Sequence, residues 1–139
     1  MSETKTTVSV PAMIPILSFR EGIRTIDWLC EAFGFRKAMV VPGEGDTVMH
    51  AELSLGGAMV MGGSERGDTE YKRVSHPAGQ AMLYVVLDEV DEHCARARAA
   101  GAEIVLEPET KEYGGRDYTA RDPEGNLWTF GTYAPELPA

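Results

Sequence analysis

One pattern occurs twice along this chain: a strand, a helix, then three strands. That repeat constrains the fold more than any single motif in the sequence. The first copy opens with residues 13–19 (MIPILSF), a short and mostly apolar run that suits a strand buried on both faces. Arg20, Glu21 and Gly22 turn the chain into a helix. Its Ile23, Ile26, Cys30 and Phe33 fall at helical spacing and mark one buried stripe. Gly34 stands where a left-handed C-cap belongs. Residues 36–41 read as a second strand, and the Pro-Gly-Glu-Gly-Asp of 42–46 is turn chemistry. In residues 48–55, Met49, Ala51, Leu53 and Leu55 alternate with His50, Glu52 and Ser54. The apolar set is expected to face a helix layer and the polar set the opposite side. Gly56 and Gly57 make a tight turn, and a fourth strand starts over 58–61.

The second copy repeats this grammar. Residues 81–87 (AMLYVVL) form a buried strand, and Asp88 is placed to cap a helix. Val90, Cys94 and Ala97 mark that helix's inner face, and Gly101 ends it. Residues 102–106, 113–121 and 127–133 are three strands, the last two joined by the strong turn Asp122-Pro123-Glu124-Gly125-Asn126. The fold class is therefore α+β, with two βαβββ modules at about 11–63 and 80–134, a polar linker at 64–79, and one domain over 1–139. Joined edge to edge, the modules make a curved eight-stranded mixed sheet around a concave cavity, with the helices on its outer face. Troughs of that shape suit small ligands.

Composition narrows the partners. With a formal net charge of −9 over 139 residues, the chain lacks the basic surface that nucleic acid and anionic membranes require. Its 43% hydrophobic and 25% charged residues are those of an ordinary globular protein. Residues 1–10 carry no apolar run behind a basic start, so no signal peptide is expected, and no stretch is long enough to span a bilayer. Cys30 and Cys94 each fall on a helix among apolar neighbours. They read as small buried hydrophobes, which fits a cytoplasmic setting.

Several motifs, in this order and spacing, resemble the vicinal oxygen chelate superfamily of glyoxalases, bleomycin-resistance proteins and extradiol dioxygenases, and within it the PhnB-like branch. They are Pro15-Ile16-Leu17-Ser18-Phe19-Arg20 leading into Ile26-Asp27-Trp28 and Ala32-Phe33-Gly34, then His50-Ala51-Glu52-Leu53 before Gly56-Gly57. Tyr113-Gly114-Gly115-Arg116 ahead of Asp122-Pro123-Glu124-Gly125-Asn126-Leu127-Trp128 completes the set. The resemblance covers about residues 11–134. It implies a homodimer, and, for the enzymes of the superfamily, a divalent metal held by one side chain from each of four strands. Carried over by the strand and turn motifs, those places fall at Ile14, Met61, Met82 and Thr129. None is an imidazole or carboxylate, the ligands that hard and borderline cations need. No metal site and no cofactor are therefore expected.

Candidate site residues follow from strand parity. His50 and Glu52 share the polar face of their strand, where a His–carboxylate pair could orient a ligand or move a proton; the alternative is an edge or interface pair without chemistry. Tyr113, Arg116 and Tyr118 precede the Asp-Pro-Glu-Gly turn, where an arginine between aromatics could clamp an anion or a ring, or could simply form a salt bridge. Tyr84 shares parity with Met82 and should face the trough. Met59, Met61 and Met82 would form a soft apolar floor, methionine being adaptable to varied ligands. Trp128 and Phe130 have the opposite parity to Thr129 and should pack beneath the helices. His76 and His93 are expected at the surface. The expected ligand-binding set is Ile14, Met59, Met61, Met82, Tyr84, Tyr113, Arg116, Tyr118 and Thr129. The leading expectation is a metal-free protein that sequesters an aromatic or cationic compound. The alternative is a lyase, isomerase or dioxygenase-type enzyme using His50, Glu52 and Arg116.

Overall fold

The computed structural model describes residues 10–65, 70 and 74–138. Among these residues, eight strands form two four-stranded sheets. The first takes β1 (Ile16–Phe19), β2 (Arg36–Pro42), β3 (Val48–Leu55) and β4 (Ala58–Ser64) in the order β1-β4-β3-β2. The second takes β5 (Met82–Val86), β6 (Glu103–Thr110), β7 (Arg116–Arg121) and β8 (Leu127–Gly131) in the order β5-β8-β7-β6. In each, the outermost first strand runs parallel to the last and the other pairs are antiparallel. The repeat legible in the sequence is thus the repeat of the fold. Among the described residues, no backbone hydrogen bond joins β1 to β5, so the two sheets meet along a seam without a ladder.

Each module carries one helix between its first two strands: α1 (Gly22–Trp28) in the first and α2 (Val90–Ala99) in the second. α1 widens into a π-helical turn over Leu29–Phe33, which presents Leu29, Ala32 and Phe33 to the interior together with Ile26. Gly34 (φ 87°) and Gly101 (φ 92°) take left-handed conformations just beyond the two helices, which a side chain would resist. The cap of α2 differs from expectation. Its N-cap is Glu89, without a side-chain hydrogen bond, and Asp88 does not fill the place.

A single apolar cluster joins both sheets and both helices. Phe33 lies at its centre, 4.8 Å from Phe130 and 5.6 Å from Trp128 between ring centroids. Trp128 and Phe130 are fully buried against the helices, as strand parity required. Such offset and edge-on ring contacts add about 0.5–1.5 kcal/mol per pair to the burial of the rings.

β3 corrects one expectation. Val48, Ala51 and Leu53 are buried, whereas Met49 is 50% exposed. The cause is a bulge: Val41 pairs with His50 and Pro42 with Val48, so Met49 is an extra residue that reverses the alternation. Residues 66–69 and 71–73 of the expected linker lie outside the described residues. Ser64 belongs to β4, where its hydroxyl accepts a hydrogen bond from the Val48 amide.

Candidate functional site: the concave face and its two histidine networks

With one face of each sheet buried under the helices, the opposite faces present rows of side chains set by strand register. In the first sheet one row reads Ile16, Met61, Glu52, Met39 from β1 to β2. In the second, successive rows read Met82, Leu127, Arg121, Glu103; then Tyr84, Thr129, Thr119, Leu106; then Val86, Gly131, Asp117, Glu109. Ile16 is 61% exposed and Met82 76%, large values for apolar side chains. A hollow of about 320 Å³ is lined by Ile16, Ser18, Met49, His50 and Met61. Another of about 520 Å³ shares Ile16 and Ser18 with it and adds His76, Gln80 and Asn126. Both are lined by Ile16, Leu17 and Ser18 of β1.

The expected site residues divide. Met61, Met82, Tyr84 and Thr129 all project from this face, and the Thr129 hydroxyl is 2.7 Å from that of Thr119. Ile14, half-buried, lies just ahead of β1. Met59 and Tyr84 line a separate slot of about 290 Å³ with Met13 and Pro15, at the far end of the seam. His50 Nε2 is 2.9 Å from Glu52 Oε2, and both are partly exposed, so the pair exists, with His50 lining the first hollow. Among the described residues, no three His, Cys, Asp or Glu side chains are grouped so that they could hold a metal ion.

Three residues of the expected ligand-binding set lie away from the trough wall. Tyr118 is fully buried in the core under α2. Arg116, two positions before it on the same face, reaches α2 instead of the trough. Its guanidinium donates to both oxygens of Asp91 at 2.8 and 3.0 Å, and to the Thr110 hydroxyl at 3.1 Å. The trough-facing residues of β7 are those opposite β8's outward set, namely Asp117, Thr119 and Arg121. Tyr113 precedes β7, in the turn, where its ring meets that of Tyr133 edge-on at 5.7 Å.

His93 was expected at the surface and is instead half-buried between Phe33 and Phe130. Its Nε2 lies 2.7 Å from the Phe33 carbonyl, so it must donate there, and Nδ1, 2.6 Å from the Tyr118 hydroxyl, must accept. Burial lowers the pKa of His93, outweighing the carbonyl contact, and Arg96 pushes the same way. Burial also pushes the Tyr118 phenol far above its usual range, so it remains a donor. The native state therefore binds fewer protons here than the unfolded chain does. Stability from this group is present above the ordinary histidine pKa and is lost as pH falls below it. In equilibrium unfolding, the chain should lose stability as pH falls below about 6.5, the ordinary histidine value, and His93→Gln should flatten that segment of the profile. An unchanged slope in His93→Gln would assign the acid sensitivity elsewhere.

The chain matches the family model described as Glyoxalase/Bleomycin resistance protein/Dioxygenase superfamily over residues 22–130. It belongs to that superfamily. Among solved structures it is similar to TioX from Micromonospora sp. ML1, at 37% identity and a TM-score of 0.73, covering 88% of this chain and 98% of that one. A glyoxalase/bleomycin resistance protein from Catenulispora acidiphila shares the fold at 22% identity and a TM-score of 0.61, covering 91% and 97%. An uncharacterized protein of Mycobacterium bovis is 28% identical over 131 residues, covering 91% of this chain and 86% of the relative. No helix among the described residues is long and apolar enough to cross a membrane.

Proposed function

We propose that this chain is a binding protein of the superfamily that captures an aromatic or cationic small molecule in the concave trough without using a metal. The observation that carries the reading is the chemistry of the trough wall. The places that the strand and turn motifs assign to the superfamily's metal ligands are Ile14, Met61, Met82 and Thr129, and the last three project from the concave face beside Ile16 and Tyr84. Alkyl groups and a hydroxyl do not fit a divalent ion, and thioethers suit soft copper(I) alone. Such a wall offers dispersion and sulfur–ring contacts, which favour flat apolar ligands. The formal charge of −9 favours a cationic one. A homodimer and a cytoplasmic setting complete the reading, by analogy with the superfamily.

Two measurements test it. Protein purified without tag or chelator should carry substoichiometric transition metal by mass spectrometry. A thermal-shift screen of aromatic cations should find ligands that stabilise the fold by about 2.7 kcal/mol at about a hundredfold excess over Kd. Met82→Lys places a positive charge on the trough wall at an exposed position, so it should abolish the shift while changing stability by no more than about 0.5 kcal/mol. One equivalent of bound metal, or no shift from any member of the screen, would overturn the reading.

The His50–Glu52 contact supports a second reading, an acid–base enzyme of the same superfamily. Arg116, engaged with Asp91, has no part in it. His50→Ala separates the two readings: it abolishes turnover in the second and leaves the ligand-induced shift in the first.

A further inference from the structure

At the end of the second sheet, Tyr84 belongs to a cluster with Asp117, Glu109, Tyr113 and Tyr133. Gly131 of β8 pairs with Asp117 of β7, and their row continues to Glu109 of β6. Tyr84, one row away on the same face, lays its ring across Gly131. A Cβ at that glycine would sit 2.7 Å from the Tyr84 hydroxyl and 2.8 Å from Asp117 Cβ, so the bare backbone is what lets phenol and carboxylate flank one point. The Tyr84 hydroxyl donates to the Tyr133 carbonyl at 2.8 Å, which fixes the ring, and Tyr133 in turn meets Tyr113 edge-on. All three rings stay open, at 43% exposure for Tyr84, 67% for Tyr113 and 51% for Tyr133.

A second observation says what such a corner attracts. The Lys111 ammonium lies at its carboxylate edge, 3.2 Å from Glu109 Oε1 and 3.7 Å from Asp117 Oδ1. Ring faces carry negative quadrupole potential, and carboxylates add formal charge. An organic ammonium satisfies both, whereas a neutral arene uses only the rings and an anion neither.

We infer that Tyr84, Tyr113, Tyr133 and Asp117 form a subsite for an alkylated ammonium group, in which the Lys111 side chain stands in until a ligand displaces it. The inference rests on the reading of the trough as a ligand site and names the ligand group that its second-sheet end would take. Lys111 competes with the ligand, so removing its charge strengthens binding where an ordinary surface lysine would have no effect.

The test uses the full chain with choline and its uncharged isostere 3,3-dimethylbutan-1-ol, read by NMR of the tyrosine rings and the Met and Ile methyl groups. Choline should shift the ring signals of Tyr84, Tyr113 and Tyr133 saturably and bind about tenfold more tightly than the isostere, a difference of about 1.4 kcal/mol. Lys111→Gln should tighten choline binding several-fold and Asp117→Asn should weaken it about tenfold, while Asp46→Asn, which removes the same charge at the distant β2–β3 turn, leaves it unchanged. Equal binding of choline and isostere, or no gain in Lys111→Gln, would overturn the subsite. If an aromatic cation from the screen shifts the Ile16 and Met61 methyls but leaves all three tyrosine rings unmoved, the subsite fails and the trough reading stands. If neither set of signals responds to any cation, both fail.

Discussion

Asp122→Ala is expected to cost at least about 4 kcal/mol in denaturant titrations, a large share of the ~5–15 kcal/mol that keeps a domain folded. One side-chain oxygen of Asp122 accepts from the backbone amides of Glu124, Gly125 and Asn126, at 2.9–3.0 Å. The other accepts from Asn126 Nδ2 at 3.0 Å and from the Trp128 indole at 2.9 Å. Asp122 is 3% exposed, so water cannot replace these bonds without opening the core. Each buried donor left unpaired costs about 1–3 kcal/mol. Asp122→Asn should cost less than alanine, since one amide oxygen preserves part of the set while its NH2 opposes donors. If alanine costs under about 1 kcal/mol, the turn is not held by this carboxylate.

Glu124→Gln is the second large effect, and its signature is local. Glu124, also buried, accepts from the amides of Arg20 and Glu21 at 2.9–3.0 Å and from the Thr25 hydroxyl at 2.8 Å. A carboxylate from the second module therefore caps the start of α1. The other end of α1 is held by the second module too. Arg96 donates to the Glu31 carbonyl at 2.9 Å and to the Cys30 carbonyl at 3.2 Å, and His93 donates to Phe33. In Glu124→Gln, an amide with a single oxygen meets three donors. The loss should be about 2–3 kcal/mol, the worth of charge-assisted bonds at a helix start. Hydrogen exchange should accelerate first at residues 20–26. Uniform acceleration across both modules would show that the cap is not specific to α1.

How much of this was legible in the sequence depends on the range of the forces involved. Short-range pattern found the repeat, the β3 span, the buried Val90, Cys94 and Ala97, and the left-handed glycines, because periodicity and φ preference are local. It also put Trp128 and Phe130 under the helices. It failed wherever an irregularity inside a strand or a partner far along the chain decided the outcome. The bulge at Met49 breaks parity with no Gly or Pro in β3 itself; the proline that marks it, Pro42, stands on the partner strand. Tyr118 was assigned to the trough from its place before the turn, whereas its pairing with Phe130 puts it on the face under the helices. His93 reads as a surface residue on a polar helix until Phe33 and Tyr118 are brought to it from 60 residues before and 25 after. Asp122 and Glu124 were recognised only as turn formers, since nothing local reveals that Trp128 and the start of α1 depend on them. Tyr133 and Asp117 were missed for the same reason: their common ground with Tyr84 is the bare backbone of Gly131.

The seam between β1 and β5 has a consequence for how such a protein changes over generations. Across every other strand boundary, a shift in spacing breaks a hydrogen-bonded ladder and is penalised at each rung. At the seam the spacing is set by side chains, among them Ile16, Ser18 and Ala81 around the larger hollow. Substitutions there can widen, narrow or tilt the trough while every ladder stays intact. Lineages built on this plan can thus explore new ligand shapes by trading a few residues on two strands, with the folding core of Phe33, Trp128 and Phe130 left out of the exchange.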